Sequence, residues 1–97
     1  SNLGYTVEKT KTTGDQGVDL ILYKNNQTIA VQAKCYSSTV GNSAIQQVVA
    51  GQKYYNTDKT MVVCNNYFTI SAKELANTTS TILWDRDKLI EMMDLVY

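Results

Sequence analysis

Asp19, Gln32 and Lys34 are the residues of this chain whose types and spacing could do chemistry. Asp19 lies in Gly17-Val18-Asp19-Leu20-Ile21-Leu22-Tyr23, and Gln32 and Lys34 lie in Ile29-Ala30-Val31-Gln32-Ala33-Lys34. Lys24-Asn25-Asn26-Gln27 joins these two apolar runs. Asn-Asn tolerates the positive φ angles of a tight primed turn, so the pair reads as a β-hairpin. With Asn25 and Asn26 as the turn, Lys24 faces Gln27, Leu22 faces Ile29, Leu20 faces Val31 and Asp19 faces Gln32. Opposed residues hold their Cβ atoms about 4.5–5.5 Å apart. Side chains alternate along a strand, which puts Lys34 on the same side as Gln32. A carboxylate, an amide oxygen and an ammonium are therefore expected to converge, in a place where water and a divalent cation can meet.

That set suits phosphodiester hydrolysis, which needs an activated water and a way to hold charge on phosphate oxygens. A hard cation such as Mg²⁺ serves both needs and prefers oxygen ligands. Asp19 offers a charged oxygen, the Gln32 side chain a neutral one, and the backbone carbonyl of Ala33 a third. Lys34 would orient the attacking water or stabilise the developing charge. Each residue also has an ordinary role open to it. Asp19 can bond nearby loop amides, Gln32 can make a cross-strand hydrogen bond, and Lys34 can be a solvated residue at a strand end or edge. Asp15 reads as a turn residue. Tyr54, Tyr55 and Tyr67 read as packing residues and Trp84 as a core anchor. Lys9, Lys11, Lys53, Lys59 and Lys73 read as solvated lysines. Cys35 has no base partner that would make it a nucleophile.

The elements that must position these residues follow from the rest of the pattern. At 97 residues, 43% of them hydrophobic, the chain suits one small domain with a single core. Its formal net charge of zero gives no global pull toward nucleic acid or an anionic membrane, so any polyanion must be met by a local patch. No apolar run approaches the roughly 20 residues of a transmembrane helix, and no signal-peptide pattern is present. Two cysteines without a histidine exclude a zinc cluster and read as reduced thiols of a cytoplasmic protein. Tyr5 to Lys9 alternates as a first strand. After the hairpin, Asn42 or Ser43 is expected to cap a helix to about Tyr55, with Ile45, Val48, Val49 and Tyr55 as its apolar stripe. On that wheel Gln46 lies on the flank of the stripe and Gln47 points away. Gln52 falls inside the stripe, without an explanation in the pattern. Thr60 to Cys64 is a buried strand, Thr69 or Ser71 starts a short helix to about Asn77, and Thr81 to Trp84 is a last strand. Asp85 caps a final helix whose expected buried side is Leu89, Ile90, Met93 and Val96. The order β-β-β-α-β-α-β-α implies an α/β fold with a mixed sheet flanked by helices. Asn2-Leu3-Gly4 reads as the tail of an earlier helix and Ser1-Asn2 as a cloning remnant. The chain is thus expected to be a single domain, residues 1–97, cut from a longer protein.

Three stretches carry a family resemblance: Leu3-Gly4-Tyr5-Thr6-Val7, Gly14-Asp15-Gln16-Gly17-Val18-Asp19-Leu20, and Val31-Gln32-Ala33-Lys34-Cys35-Tyr36. Together they resemble the catalytic domain of Mrr-type restriction endonucleases, in the PD-(D/E)xK nuclease superfamily. Gly14 to Asp19 is similar to the family's glycine-rich stretch before the aspartate, and Gln32-Ala33-Lys34 to its QxK form of the (D/E)xK signature. Ala44 to Ala50, Lys53-Tyr54-Tyr55, Tyr67-Phe68-Thr69 with Ala72, and Trp84 to Leu89 extend the similarity over nearly the whole chain. The resemblance implies a restriction-endonuclease-like fold and Mg²⁺-dependent cleavage of DNA, with Mn²⁺ as a substitute. It implies Asp19, Gln32 and Ala33 at the metal, Lys34 as a catalytic residue and Gln46 facing the site. It implies a preceding helix with a glutamate, which this chain starts too late to include, so that the domain alone would be weakly active or inactive. Glutamine in place of glutamate predicts weaker Mg²⁺ binding than a two-carboxylate site. A homodimer would let two sites cut two strands. A Holliday-junction resolvase and a non-catalytic nucleic-acid-binding or assembly module are the alternatives that the same core leaves open.

Overall fold

The structure, a computed structural model, describes residues 4–10 and 17–96. The readings placed on Ser1, Asn2, Leu3, Lys11, Gly14, Asp15 and Gln16 lie outside those residues. The elements run β1 (Thr6–Lys9), β2 (Leu20–Lys24), β3 (Gln27–Lys34), α1 (Asn42–Tyr55), β4 (Lys59–Cys64), α2 (Ile70–Thr79), β5 (Thr81–Trp84) and α3 (Arg86–Val96). The strands form one sheet in the order β1-β2-β3-β4-β5. β1, β2 and β3 pair antiparallel, while β3, β4 and β5 pair parallel. The sheet is therefore mixed, with a helix in each parallel crossover, as the alternation of elements requires.

The hairpin forms as its sequence dictates. Asn25 and Asn26 take φ of 54° and 65°, the two positive values of a type I′ turn. The ladder then runs from Lys24↔Gln27 to Leu20↔Val31. It stops there, and Asp19 does not take up the expected place opposite Gln32. Asp19 instead donates its amide to the Val31 carbonyl at 2.8 Å, already opposite Leu20, and the Thr10 hydroxyl donates to the carbonyls of Val18 (2.8 Å) and Asp19 (3.2 Å) on the β1 side.

The helix ends are set by local chemistry. Gly41, not Asn42 or Ser43, is the N-cap of α1, and it supplies no side-chain cap. At the other end Gln52 donates from Nε2 to the Thr57 carbonyl at 2.9 Å, which explains a polar residue in an apolar stripe. Thr69 caps α2 by accepting from the Ala72 amide at 3.0 Å. Asp85 accepts from the Lys88 amide at 2.9 Å and so caps α3 as expected.

Apolar residues pack on both faces of the sheet. On one face, Val18, Ile21, Ala30 and Val62 meet Ile45 and Val48 of α1 and Ala72 and Ala76 of α2. On the other, Ile29, Val31 and Met61 are joined by Leu20, Leu22, Val63 and Trp84. That second face carries an apolar cleft of about 240 Å³ between Tyr5, Leu20, Leu22 and Leu89. α3 packs against β5, a four-residue strand at the sheet's edge, and this overturns one expectation. Ile90 and Met93 are 48% and 56% exposed rather than buried, because one short edge strand cannot cover both flanks of a helix. Among the described residues no helix is long and apolar enough to cross a membrane.

Candidate active site

β3 carries the site at its C-terminal end, where it emerges between β2 and β4. Gln32 is only 6% exposed, and a buried amide must find partners at both its ends. Two orientations fit the same heavy atoms. In one, Gln32 Nε2 donates to Gln47 Oε1 at 2.8 Å, and its own oxygen is then set against the Ala44 carbonyl. In the other, Gln32 nitrogen donates to the Ala44 carbonyl at 2.9 Å and its oxygen accepts from Lys34 Nζ at 3.1 Å. The second satisfies both ends and is the one a buried amide adopts. Gln47 turns with it, its amide nitrogen then donating to the Gln32 oxygen at 2.8 Å, so that Lys34 bonds Gln32 and not Gln47. Gln32, Lys34 and Gln47 thus form one polar group on the α1 side of the sheet.

Asp19 joins this group through the backbone. Its amide donates to Val31 O at 2.8 Å, and its Oδ2 accepts from the Ala33 amide at 2.7 Å. Among the described residues Oδ1 has no hydrogen bond. In an extended strand the N–H and C=O of one residue point to the same edge, so the Ala33 carbonyl faces the same side as Asp19. Asp19 and Lys34 form no ion pair; among the described residues Lys88–Glu91 is the one ion pair, at 3.5 Å. The carboxylate and the ammonium therefore flank Ala33 without neutralising each other. Gly17 fixes the approach of this segment to α1. It has φ +70°, and a Cβ on it would lie 2.4 Å from the Gln47 carbonyl oxygen.

The structure does not bring Gln46 to the group. Gln46 lines a surface cleft between α1 and α2 with Ile45, Val49, Lys53 and Leu75. Gln47 stands at the site instead. A helical wheel gives angles relative to the apolar stripe, but not which flank meets which neighbour. The sequence carries no signal that singles out Gln47.

The Ala44 contact has a testable consequence. Gln32→Glu would set a buried carboxylate oxygen about where the amide nitrogen now donates. The acid form can still donate to Ala44, but the charged form cannot, and burial also opposes the charge. Half-buried Lys34 offsets only part of this. Such a group has a raised pKa in the folded state, so its stabilising contact is intact at low pH and is lost as the pH rises through that value. Urea unfolding is expected to show the variant near wild type at pH 4 and about 1–3 kcal/mol less stable at pH 8. Equal stability at both pH values would argue against the adopted amide orientation.

The rim of the site comes from the loops after β3 and β4. The Tyr36 amide donates to Asn65 Oδ1 at 3.0 Å. Asn66 donates from Nδ2 to the Tyr36 carbonyl at 3.5 Å and accepts the Tyr67 amide on Oδ1 at 2.8 Å. The Tyr67 hydroxyl donates to Asp87 at 2.8 Å, and this bond raises the phenol above its ordinary pKa. Cys64 is buried and donates to the Asn66 carbonyl, and its burial pushes the thiol up. Cys35 is exposed, and both cysteines are free. Tyr54 and Tyr55 pack edge to face at 4.8 Å, away from this rim. Trp84 borders the second core as expected.

Among the described residues there is no group of three or more His, Cys, Asp or Glu. What exists is one carboxylate with a free oxygen, a backbone carbonyl on the same edge and a neighbouring amide oxygen. All are hard donors, and they fit Mg²⁺ or Mn²⁺ rather than a thiophilic metal.

Solved structures share this fold. A DNA modification-dependent restriction endonuclease, AspBHI, superposes with a TM-score of 0.68 at 19% identity over 89% of this chain and 25% of its own. The MspJI restriction endonuclease, solved in complex with a 27-mer oligonucleotide, gives 0.64 at 20% identity over 90% of this chain and 22% of its own. AF1548, a protein of unknown function, gives 0.73 at 12% identity over 86% of this chain and 50% of its own. The chain thus spans half or less of the length of these proteins. No curated protein matches it in sequence. The five-stranded mixed sheet flanked by three helices is a restriction-endonuclease-like nuclease fold. The family model for the Mrr catalytic domain, described as a restriction endonuclease, matches residues 1–93. The chain belongs to that family.

Proposed function

We propose that this domain hydrolyses DNA phosphodiester bonds as a Mg²⁺-dependent endonuclease of the restriction or genome-defence type, acting in the cytoplasm. The observation that carries the reading is the placement of Asp19 and Lys34 on either side of Ala33, each held by a hydrogen bond and neither paired with the other. Two opposite charges left uncombined at a strand end are suited to a ligand that needs both. Asp19 and the Ala33 carbonyl would hold the cation, while the Gln32 oxygen is engaged by Lys34 beside them. When bound, the ion lowers the pKa of water and withdraws charge from phosphate oxygens.

The chain's own residues do the rest. Ala33 N–H fixes one carboxylate oxygen of Asp19 and so aims the other outward. Lys34 presents an ammonium to a phosphate oxygen, where charge grows as the fifth bond forms. Gln32 holds that ammonium in place through its oxygen, and the Ala44 carbonyl and the turned Gln47 amide hold Gln32. Catalytic roles are accordingly assigned to Asp19 and Lys34, and positioning roles to Gln32 and Gln47.

Full-length protein with plasmid DNA and Mg²⁺ or Mn²⁺ is expected to cut, and EDTA to stop it. Asp19→Ala should leave the plasmid intact while binding to DNA persists. Cutting by Asp19→Ala at the wild-type rate would remove Asp19 from the site. Wild-type binding without cutting, with either metal, would make the protein a DNA-binding module that kept the fold.

A further inference from the structure

Tyr36 is 44% exposed and its ring lies 5.5 Å from Lys34 Nζ. An exposed aromatic on a loose loop needs no explanation, but this one is held. Asn65 accepts its amide hydrogen and Asn66 donates to its carbonyl, so both polar groups of the residue's backbone are fixed from a neighbouring strand's loop. The same Asn66 amide also accepts the amide of Tyr67, a second exposed tyrosine, 41% open to solvent. Holding two rings out of the core gains no burial. It does reduce what a flat ligand must spend on ordering them.

We propose that Tyr36 is a nucleobase-stacking residue, which receives an unpaired base of the strand whose phosphate Lys34 engages. The proposal rests on the nuclease reading and names the form of its substrate. Lys34 and Tyr36 are two residues apart at the end of β3 and in cation–π contact, so one nucleotide can meet both, with its phosphate at the ammonium and its base on the ring. A base within an intact duplex has both faces covered by its neighbours. A face for Tyr36 is available only where the strand is single or the base is turned out.

The experiment uses full-length protein in EDTA, so that nothing is cut, and two oligonucleotides of equal length and charge. One is oligo-dT and the other is an abasic strand. Wild type is expected to prefer oligo-dT. Tyr36→Ala should weaken oligo-dT binding by about 5- to 100-fold, leave the abasic strand unchanged and erase the preference; Tyr36→Phe should keep it. Unchanged oligo-dT binding by Tyr36→Ala, or equal losses on both strands, would overturn the proposal. Wild type that binds neither strand but cuts duplex plasmid would overturn it while leaving the nuclease reading intact. Wild type that binds no DNA of any kind would overturn both. Circular dichroism of each variant shows whether the fold is kept, and a change there in Tyr36→Ala would make the ring a structural residue and count against the proposal.

Discussion

Lys34→Met is expected to slow DNA cutting by about 10²–10³-fold while leaving the domain folded and DNA-bound. Methionine keeps much of the alkyl stem but brings no charge, so it removes the ammonium 3.1 Å from the Gln32 oxygen and little else. Loss of a single placed donor at developing phosphate charge has an effect of that order. Stability should change little, because Lys34 is only half-buried at a strand end and the Gln32 oxygen keeps the turned Gln47 amide as a donor at 2.8 Å. Lys34→Arg keeps the charge but changes its shape. A planar guanidinium does not repeat the single-point contact of the ammonium with the Gln32 oxygen, so recovery should be partial. Single-turnover cleavage measured alongside oligonucleotide binding separates the two effects. A fall in cutting matched by an equal fall in binding would mean that Lys34 only attracts DNA.

The ammonium can be placed because its supports are indirect. Gln32 acts through Lys34, and the Ala44 carbonyl acts through Gln32. A chain of neutral hydrogen bonds orients the cation without cancelling its charge, as a carboxylate partner would. This also revises what the glutamine means. A second carboxylate at position 32 would add charge toward a metal, but the α1 carbonyl 2.9 Å away from the Gln32 amide nitrogen resists it. The amide is therefore a requirement of the packing between β3 and α1.

Much of this was legible in the residues. Asn25-Asn26 dictated the turn, the turn dictated the register, and alternation then put Gln32 and Lys34 on one side, where the structure joins them. What failed, failed where local pattern meets tertiary detail. Asp19 was expected to face Gln32 by counting along the ladder, but its amide bonds the Val31 carbonyl that Leu20 already faces, so the count slips by one residue. The carboxylate instead reaches the group through the Ala33 amide. Gln46 was expected at the site from the family resemblance, and the wheel did not correct it, because a wheel cannot tell which flank of α1 faces β3 and which faces α2. α3 was read as burying Ile90 and Met93 because amphipathic spacing gives a helix an apolar side whether or not a neighbour covers it.

Gly17→Ala is expected to be the most damaging change of stability at the site, costing about 2–5 kcal/mol. Two penalties combine. Gly17 has φ +70°, in the region that costs a residue with a Cβ about 1–2 kcal/mol. The new methyl would also lie 2.4 Å from the Gln47 carbonyl oxygen and 2.7 Å from its carbonyl carbon. These are backbone atoms inside a helix and cannot rotate away, so overpacking adds about 1–3 kcal/mol. A loss of this size is a large part of the total stability of a small domain. It also falls on the contact that seats the Asp19 segment against the helix bearing Gln47, so cutting should fail even under conditions where the variant stays folded. A second substitution identifies the cause. Adding Gln47→Ala removes most of a side chain but no backbone, so the double variant should recover none of the lost stability in urea unfolding. Full recovery would place the clash with the Gln47 side chain, and unchanged stability of Gly17→Ala alone would mean that the chain does not approach α1 so closely.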